Sequence, residues 1–175
     1  MSEYILPGSY AFSVCRIEPE NNVHMVLEAY SGLKPHNLVM VGNWSNSEYG
    51  RRLREQYAAC GNIFMFDPIY DSGKLKTLRS RASFYIHGHS AGGTNPSLVE
   101  AMHFGKAVLA FDCNYNRSTT EDKALFFGNS AELVRLIETM KEEEFSKVGR
   151  DVAEIARRRY TWTFVARQYF ALLGA

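Results

Sequence analysis

The stretch Ser83-Phe84-Tyr85-Ile86-His87-Gly88-His89-Ser90-Ala91-Gly92-Gly93-Thr94-Asn95-Pro96-Ser97-Leu98-Val99-Glu100-Ala101-Met102 decides the fold. A short apolar run ends at His87, a glycine-bearing turn follows, and Asn95-Pro96 opens a helix. Asn is a favoured N-cap, and Pro at the first helical position has φ already set and lacks only a donor that would be orphaned anyway. Leu98, Ala101, Met102 and Gly105 then fall on one helical stripe. Strand, turn and helix in this order form the repeating unit of a parallel sheet.

Working outward, the same alternation fills the chain. Continuous apolar runs occur at Tyr10 to Cys15, Leu38 to Gly42, Ile63 to Phe66, Ser83 to Ile86, Ala107 to Phe111 and Ala124 to Phe127. Runs without a polar alternate position suit strands covered on both faces. Between them lie helical stripes: Val23, Val26, Leu27 and Tyr30; Tyr49, Leu53, Tyr57 and Cys60; Leu133, Val134, Ile137 and Met140. Six strands separated by helices predict a doubly wound, Rossmann-like α/β domain with a parallel sheet. From Glu142 to Leu173 the pattern is helix only, broken at Thr161-Trp162-Thr163, where either threonine suits an N-cap.

Composition narrows the class. The chain has 175 residues, enough for one domain with a full core, so a single domain over 1–175 is expected. A net charge of +1 argues against a nucleic-acid partner, and no apolar run is long enough to span a bilayer. Cys15, Cys60 and Cys113 are scattered and without metal-ligand spacing, which reads as reduced, buried thiols and a cytoplasmic location.

In doubly wound sheets ligands sit beyond the carboxyl ends of the strands. The turn after His87 is therefore the candidate site. The amides around Gly92, Gly93, Thr94, Asn95, Pro96 and Ser97 and the helix dipole suit an anionic group, and the adjacent glycines admit it close to the backbone. Glu100 lies about 6 Å further along the helix axis, a spacing that fits phosphate at the helix mouth and ribose hydroxyls on the carboxylate.

The run Asn95 to Val108 is similar to the E-G-F-G-h-x-h-h-E-A-M-A-x-G-x-P-V signature of retaining GT-B glycosyltransferases of family four (h, apolar). Val14 to Asn22 looks like that family's G-R-h-x-P-E-K-G stretch, and Tyr160-Thr161-Trp162 resembles its C-terminal helix start. The anchors follow one another in the family's order from about residue 10 to the end. His87 to Met102 looks closest to a bacterial subgroup of rhamnosyltransferases. The resemblance implies the donor-binding, C-terminal half of a GT-B enzyme. Its substrate would be a nucleotide diphosphate sugar, with no further cofactor and no metal. Its acceptor would be a glycan or lipid-linked hydroxyl, and its missing partner the N-terminal, acceptor-binding domain. Such an enzyme would be cytoplasmic or peripheral at the inner membrane face, and this half alone would bind donor without turnover.

Residue by residue, the resemblance implies Arg16 as the diphosphate contact and Glu100 as the ribose binder. The chain departs from the family at two positions: Asn21 replaces its lysine, and Gly92 replaces the first acid of its E-x7-E pair. His89, His87, Arg117 or the partner domain are the candidate substitutes for the lost cation. Gly92 suits a less polar sugar such as a 6-deoxyhexose. Asn43-Trp44 reads as an exposed loop, with lining of the crevice as the alternative. Asp71 is either an N-cap or part of a base-contacting loop, and Glu121 a family acid or a loop acid. Arg157 to Arg159 reads as a solvated helix end. Phe164, Val165, Tyr169 and Phe170 read as core or as a surface facing a second domain. A flavodoxin-like regulatory module is the competing class, opposed by Arg16 standing where a receiver domain needs acids. A nucleotide-sugar epimerase of GT-B type is another.

Overall fold

Six short strands form the centre of the computed structural model, which describes residues 6–174. They are β1 (Ala11–Val14), β2 (Leu38–Val41), β3 (Ile63–Phe66), β4 (Phe84–His87), β5 (Ala107–Phe111) and β6 (Leu125–Phe127). The helices are α1 (Val23–Gly32), α2 (Glu48–Gln56), α3 (Ser72–Arg81), α4 (Pro96–Met102), α5 (Asn114–Thr120), α6 (Ser130–Thr139), α7 (Glu142–Arg159) and α8 (Trp162–Leu172). The strand order is β3-β2-β1-β4-β5-β6, with every pair parallel. This is the doubly wound Rossmann-like sheet expected from the apolar runs. The order reverses between β1 and β4, so a crevice is expected beyond their carboxyl ends.

Each sheet face carries its own core. Ala11, Leu38, Met40, Ile86 and Leu109 point to one side and meet Leu27 of α1, Leu53 of α2 and Leu133 of α6. Phe12, Val39, Tyr85 and Val108 point to the other and meet Leu78 of α3, Leu98 of α4 and Val152 of α7. Both faces are dry, which is why the runs lack a polar alternate position. Full burial of a Leu such as Leu27 or Leu98 stabilises the fold by about 1.5–3 kcal/mol.

Several local expectations hold. Asn95 caps α4, with its side chain accepting from Ser97 N and Pro96 next in line; Asp71 caps α3, and Thr161 caps α8. Others need correction. The α2 stripe overruns its helix, which stops at Gln56 with Tyr57 as C-cap. Trp44, read as an exposed loop aromatic, is fully buried and donates from Nε1 to Phe66 O at 3.0 Å. The segment after β5 contains α5, a helix that no apolar stripe announced. The aromatic stripe of α8 is not core: among the described residues that helix buries none. The three cysteines are free and half-buried rather than fully enclosed.

Candidate functional site

The loops leaving β1 and β4 are stitched together at the switch point. Asn21, in a 3-10 turn (Pro19–Asn21), is buried and donates from Nδ2 to Arg16 O at 2.8 Å. Its Oδ1 therefore faces His89 Nδ1, 2.7 Å away, and accepts that proton. Asn22 Nδ2 donates to Gly88 O, and Ser90 donates to Glu20 O from both its N–H and its hydroxyl. Asn116 of α5 donates to His89 O at 2.8 Å and to Phe111 O. A Cβ at Gly88 would collide with the Asn21 carbonyl, so the close approach of these loops requires glycine there.

Beyond Ser90 the turn changes character. Ala91 to Thr94 are exposed, and among the described residues no hydrogen bond engages their backbone amides. Gly92 has φ +90°, a conformation glycine adopts at little cost. A Cβ there would lie 3.7 Å from His89 Nε2, so that ring nitrogen faces the position where the resembling family carries its first acid. Ser97 is less available than expected. Its N–H and hydroxyl both donate to Asn95 Oδ1, at 3.0 and 2.8 Å, and Pro96 has no N–H. Among the described residues the unengaged amides of this turn are those of Ala91, Gly92, Gly93, Thr94 and Asn95.

The other candidates divide sharply. Arg16 is 73% exposed and only loosely paired with Glu20 at 3.9 Å, so its charge is little committed within the protein. Glu100 sits on α4 with its carboxylate 58% exposed and Oε2 held 2.6 Å from Arg79 Nη2. Asn21 has both amide groups committed to the protein and offers no cation. Arg117 is not a spare cation either: it grips Asp112 through two bonds, pairs with Asp122 and stacks on Phe126. Glu121 is bound by Arg158 and Arg159, whose hydrogen bonds hold its carboxyl below the usual range. Asp67 pairs with Arg54.

His87, at the end of β4, is buried, and its Nε2 has no partner. Burial, with a smaller push from His89, holds its imidazole down at about 3, so it is neutral. Among the described residues no cluster of three His, Cys, Asp or Glu could hold a metal ion. A concavity of about 530 Å³ lies at the amino ends of the strands, lined by His36, Ser83, Lys106, Glu142 and Phe145 among others; the expected donor-site residues do not line it. No described helix is long and apolar enough to cross a membrane.

The loop stitching at Asn21 and Asn116 was not read from the sequence. Its signal was the run of short amides next to strand ends, where Asn satisfies loop carbonyls. Arg79 was also missed, since a cation in the last turn of a helix usually serves its dipole from solvent.

The family model for glycosyl transferases group 1 matches residues 7–159. Among solved structures, HepE from Anabaena in complex with UDP-glucose has a TM-score of 0.83 and 19% identity, covering 95% of this chain and 49% of that one. The sucrose-phosphate synthase of Thermosynechococcus elongatus has a TM-score of 0.80 and 18% identity, covering 96% and 46%. The C-terminal domain of a group 1 glycosyl transferase (LpcC) from Francisella tularensis has a TM-score of 0.75 and 14% identity, covering 90% and 89%. The chain thus spans about half the length of HepE and of the synthase. None of the curated proteins matches it significantly.

Proposed function

Because this chain belongs to the group 1 glycosyl transferases, we propose that it is the donor-binding, C-terminal domain of a retaining glycosyltransferase. It binds a nucleotide diphosphate sugar above the switch point between β1 and β4. The diphosphate lies on the unengaged amides of Gly92, Gly93, Thr94 and Asn95, with Arg16 swinging in as the cation. Glu100 accepts from the ribose hydroxyls. The sugar is a 6-deoxyhexose of the rhamnose type, consistent with a bare Gly92 where the resembling family aims an acid at sugar hydroxyls. The acceptor is a glycan or lipid-linked hydroxyl presented by a second domain.

The chemistry asked of this half is electrostatic. As the glycosidic bond breaks, negative charge grows on the departing diphosphate, and preorganised amides with an arginine stabilise it there. Carboxylates are not required for that task, and Asp112, Asp122 and Glu121 are all committed to arginines. Transfer needs the acceptor half, so the isolated domain binds without turnover.

The observation that supports the reading is the run of exposed, unbonded amides at the carboxyl end of β4, next to the exposed Arg16. Thermal unfolding with UDP, GDP, dTDP, ADP and their sugars checks it. One diphosphate should stabilise the domain, by about 2.7 kcal/mol at a hundredfold excess over Kd. Glu100→Ala should remove most of that shift. No stabilisation by any of them at millimolar concentration rejects the reading.

A further inference from the structure

Arg79 is the least solvated of the ion-paired arginines described. Its side chain is 10% exposed, against 35% or more for Arg16, Arg54, Arg117, Arg158 and Arg159. It lies in the last turn of α3, where an extended arginine would reach water. Instead it folds inward beside Ala82, Tyr85, Ala101 and Phe104, around a void of about 10 Å³, too tight for more than one water. Its Nε has no partner. Burying a cation with an unmatched N–H is unfavourable unless the arrangement serves something else. What the inward fold achieves is a 2.6 Å contact between Nη2 and Glu100 Oε2.

We infer that Arg79 is a positioning residue that sets ribose specificity: it clamps the Glu100 carboxylate in one rotamer so that the site demands a ribose diol. This rests on the reading of Glu100 as the ribose acceptor. An unclamped glutamate on an exposed helix face samples several rotamers, and a ligand must freeze one of them. The clamp removes that cost before binding, as any preorganised group does. It engages one oxygen and leaves the rest of the carboxylate open, since Glu100 remains 58% exposed. A 2′-deoxy sugar offers one hydroxyl fewer to a carboxylate that cannot turn away to other partners. Discrimination against it therefore depends on Arg79, although Arg79 touches no part of the nucleotide.

The test is calorimetric, on the 175-residue chain, with UDP, GDP and ADP each paired with its 2′-deoxy counterpart. The wild type should prefer the ribose form of its best diphosphate by about tenfold or more. Glu100→Gln should bring that ratio towards one. Arg79→Met, which fills the same slot without charge, should do the same while leaving affinity for the deoxy form within about twofold. The double variant should lose nothing further, because both act on one contact. A wild-type ratio kept by Arg79→Met but lost by Glu100→Gln overturns the inference and leaves the ribose reading standing. Equal loss on ribose and deoxy forms in Arg79→Met also overturns it, since that is a packing effect. A ratio unchanged in Glu100→Gln removes the ribose reading and the inference with it. Should Arg79→Met melt before it can be titrated, Arg79→Lys keeps the charge without the planar fork. An intermediate ratio then supports the inference, and an unchanged one rejects it.

Discussion

The two halves of the turn after β4 are built on opposite principles. From Gly88 to Ser90 every residue is bonded to the loop after β1 or to α5: Gly88 O to Asn22, His89 to Asn21 and Asn116, Ser90 to Glu20. From Ala91 to Thr94 the chain is exposed and its amides bond to nothing among the described residues. The first half spends its hydrogen bonds on fixing where the turn sits. The second leaves its donors without partners among the described residues. Changes in the braced half should therefore appear as lost stability, and changes in the open half as lost affinity.

The largest effect should come from pH acting on the strand end from which the braced half leaves. His87 is held neutral in the folded domain, at about 3, whereas an unfolded histidine takes up its proton near 6.5. Below about 6.5 the unfolded chain binds more protons than the folded one, so stability falls as pH falls, by up to about 1.4 kcal/mol per unit until about 3. Urea melts across that window should show this slope, and His87→Leu should flatten it. A wild-type curve already flat from 6.5 to 4.5 would mean that His87 is not shut away from solvent.

Next comes Gly88→Ala. The added methyl meets the Asn21 carbonyl, which is backbone and cannot swing aside. Separating the loops should cost about 3 kcal/mol in urea denaturation, with weaker nucleotide binding as a consequence. Asn21→Ala is milder. It strips partners from Arg16 O and His89 Nδ1, for about 2 kcal/mol. If either variant melted like the wild type, the braced half would not be braced.

What could be read in advance follows the same division between apolar and polar logic. The strands were legible because both sheet faces are dry, so Leu38 to Val41 and Ala107 to Phe111 carry no polar alternate. Caps were legible because Asn95, Asp71 and Thr161 stand beside residues that open helices. Helix α5 was not, since its buried residues are Asn116, Thr119 and Thr120, each satisfied by backbone carbonyls. Periodicity of apolar residues is blind to such a face. Trp44 looked exposed because its loop is polar, yet Phe66 O takes its indole N–H and lets the ring enter the core. Helix α8 misled in the other direction, with Trp162, Tyr169 and Phe170 apolar and uncovered. Around the candidate site, the turn and the place of Glu100 on α4 were legible from residue type and spacing. The seam at Asn21 and the Arg79 contact were not, because they join residues far apart in the chain, 68 and 21 positions respectively.

In the open half the sign of the comparison reverses. Arg16 is exposed and loosely paired, so Arg16→Ala should change stability by less than about 0.5 kcal/mol. Its loss from a bound diphosphate should weaken affinity about tenfold, the scale of one charge-assisted hydrogen bond. Paired calorimetry and urea melts separate the two readouts. A variant that binds as the wild type does would leave the diphosphate resting on amides alone.

The smallest and sharpest case is Gly93→Ala. Nothing lies within 4 Å of a Cβ built there, and its φ is not in the left-handed region. Alanine should therefore leave stability unchanged or raise it by about 0.5 kcal/mol, through a less flexible unfolded chain. A diphosphate seated on the neighbouring amides would still meet that methyl, because the space beside Gly93 is empty only while no ligand occupies it. A several-fold loss of nucleotide affinity with an undiminished melting temperature is the expected pair of results. Unchanged affinity would place the phosphates away from these amides, and the open half of the turn would then have lost the physical reason for leaving its donors bare.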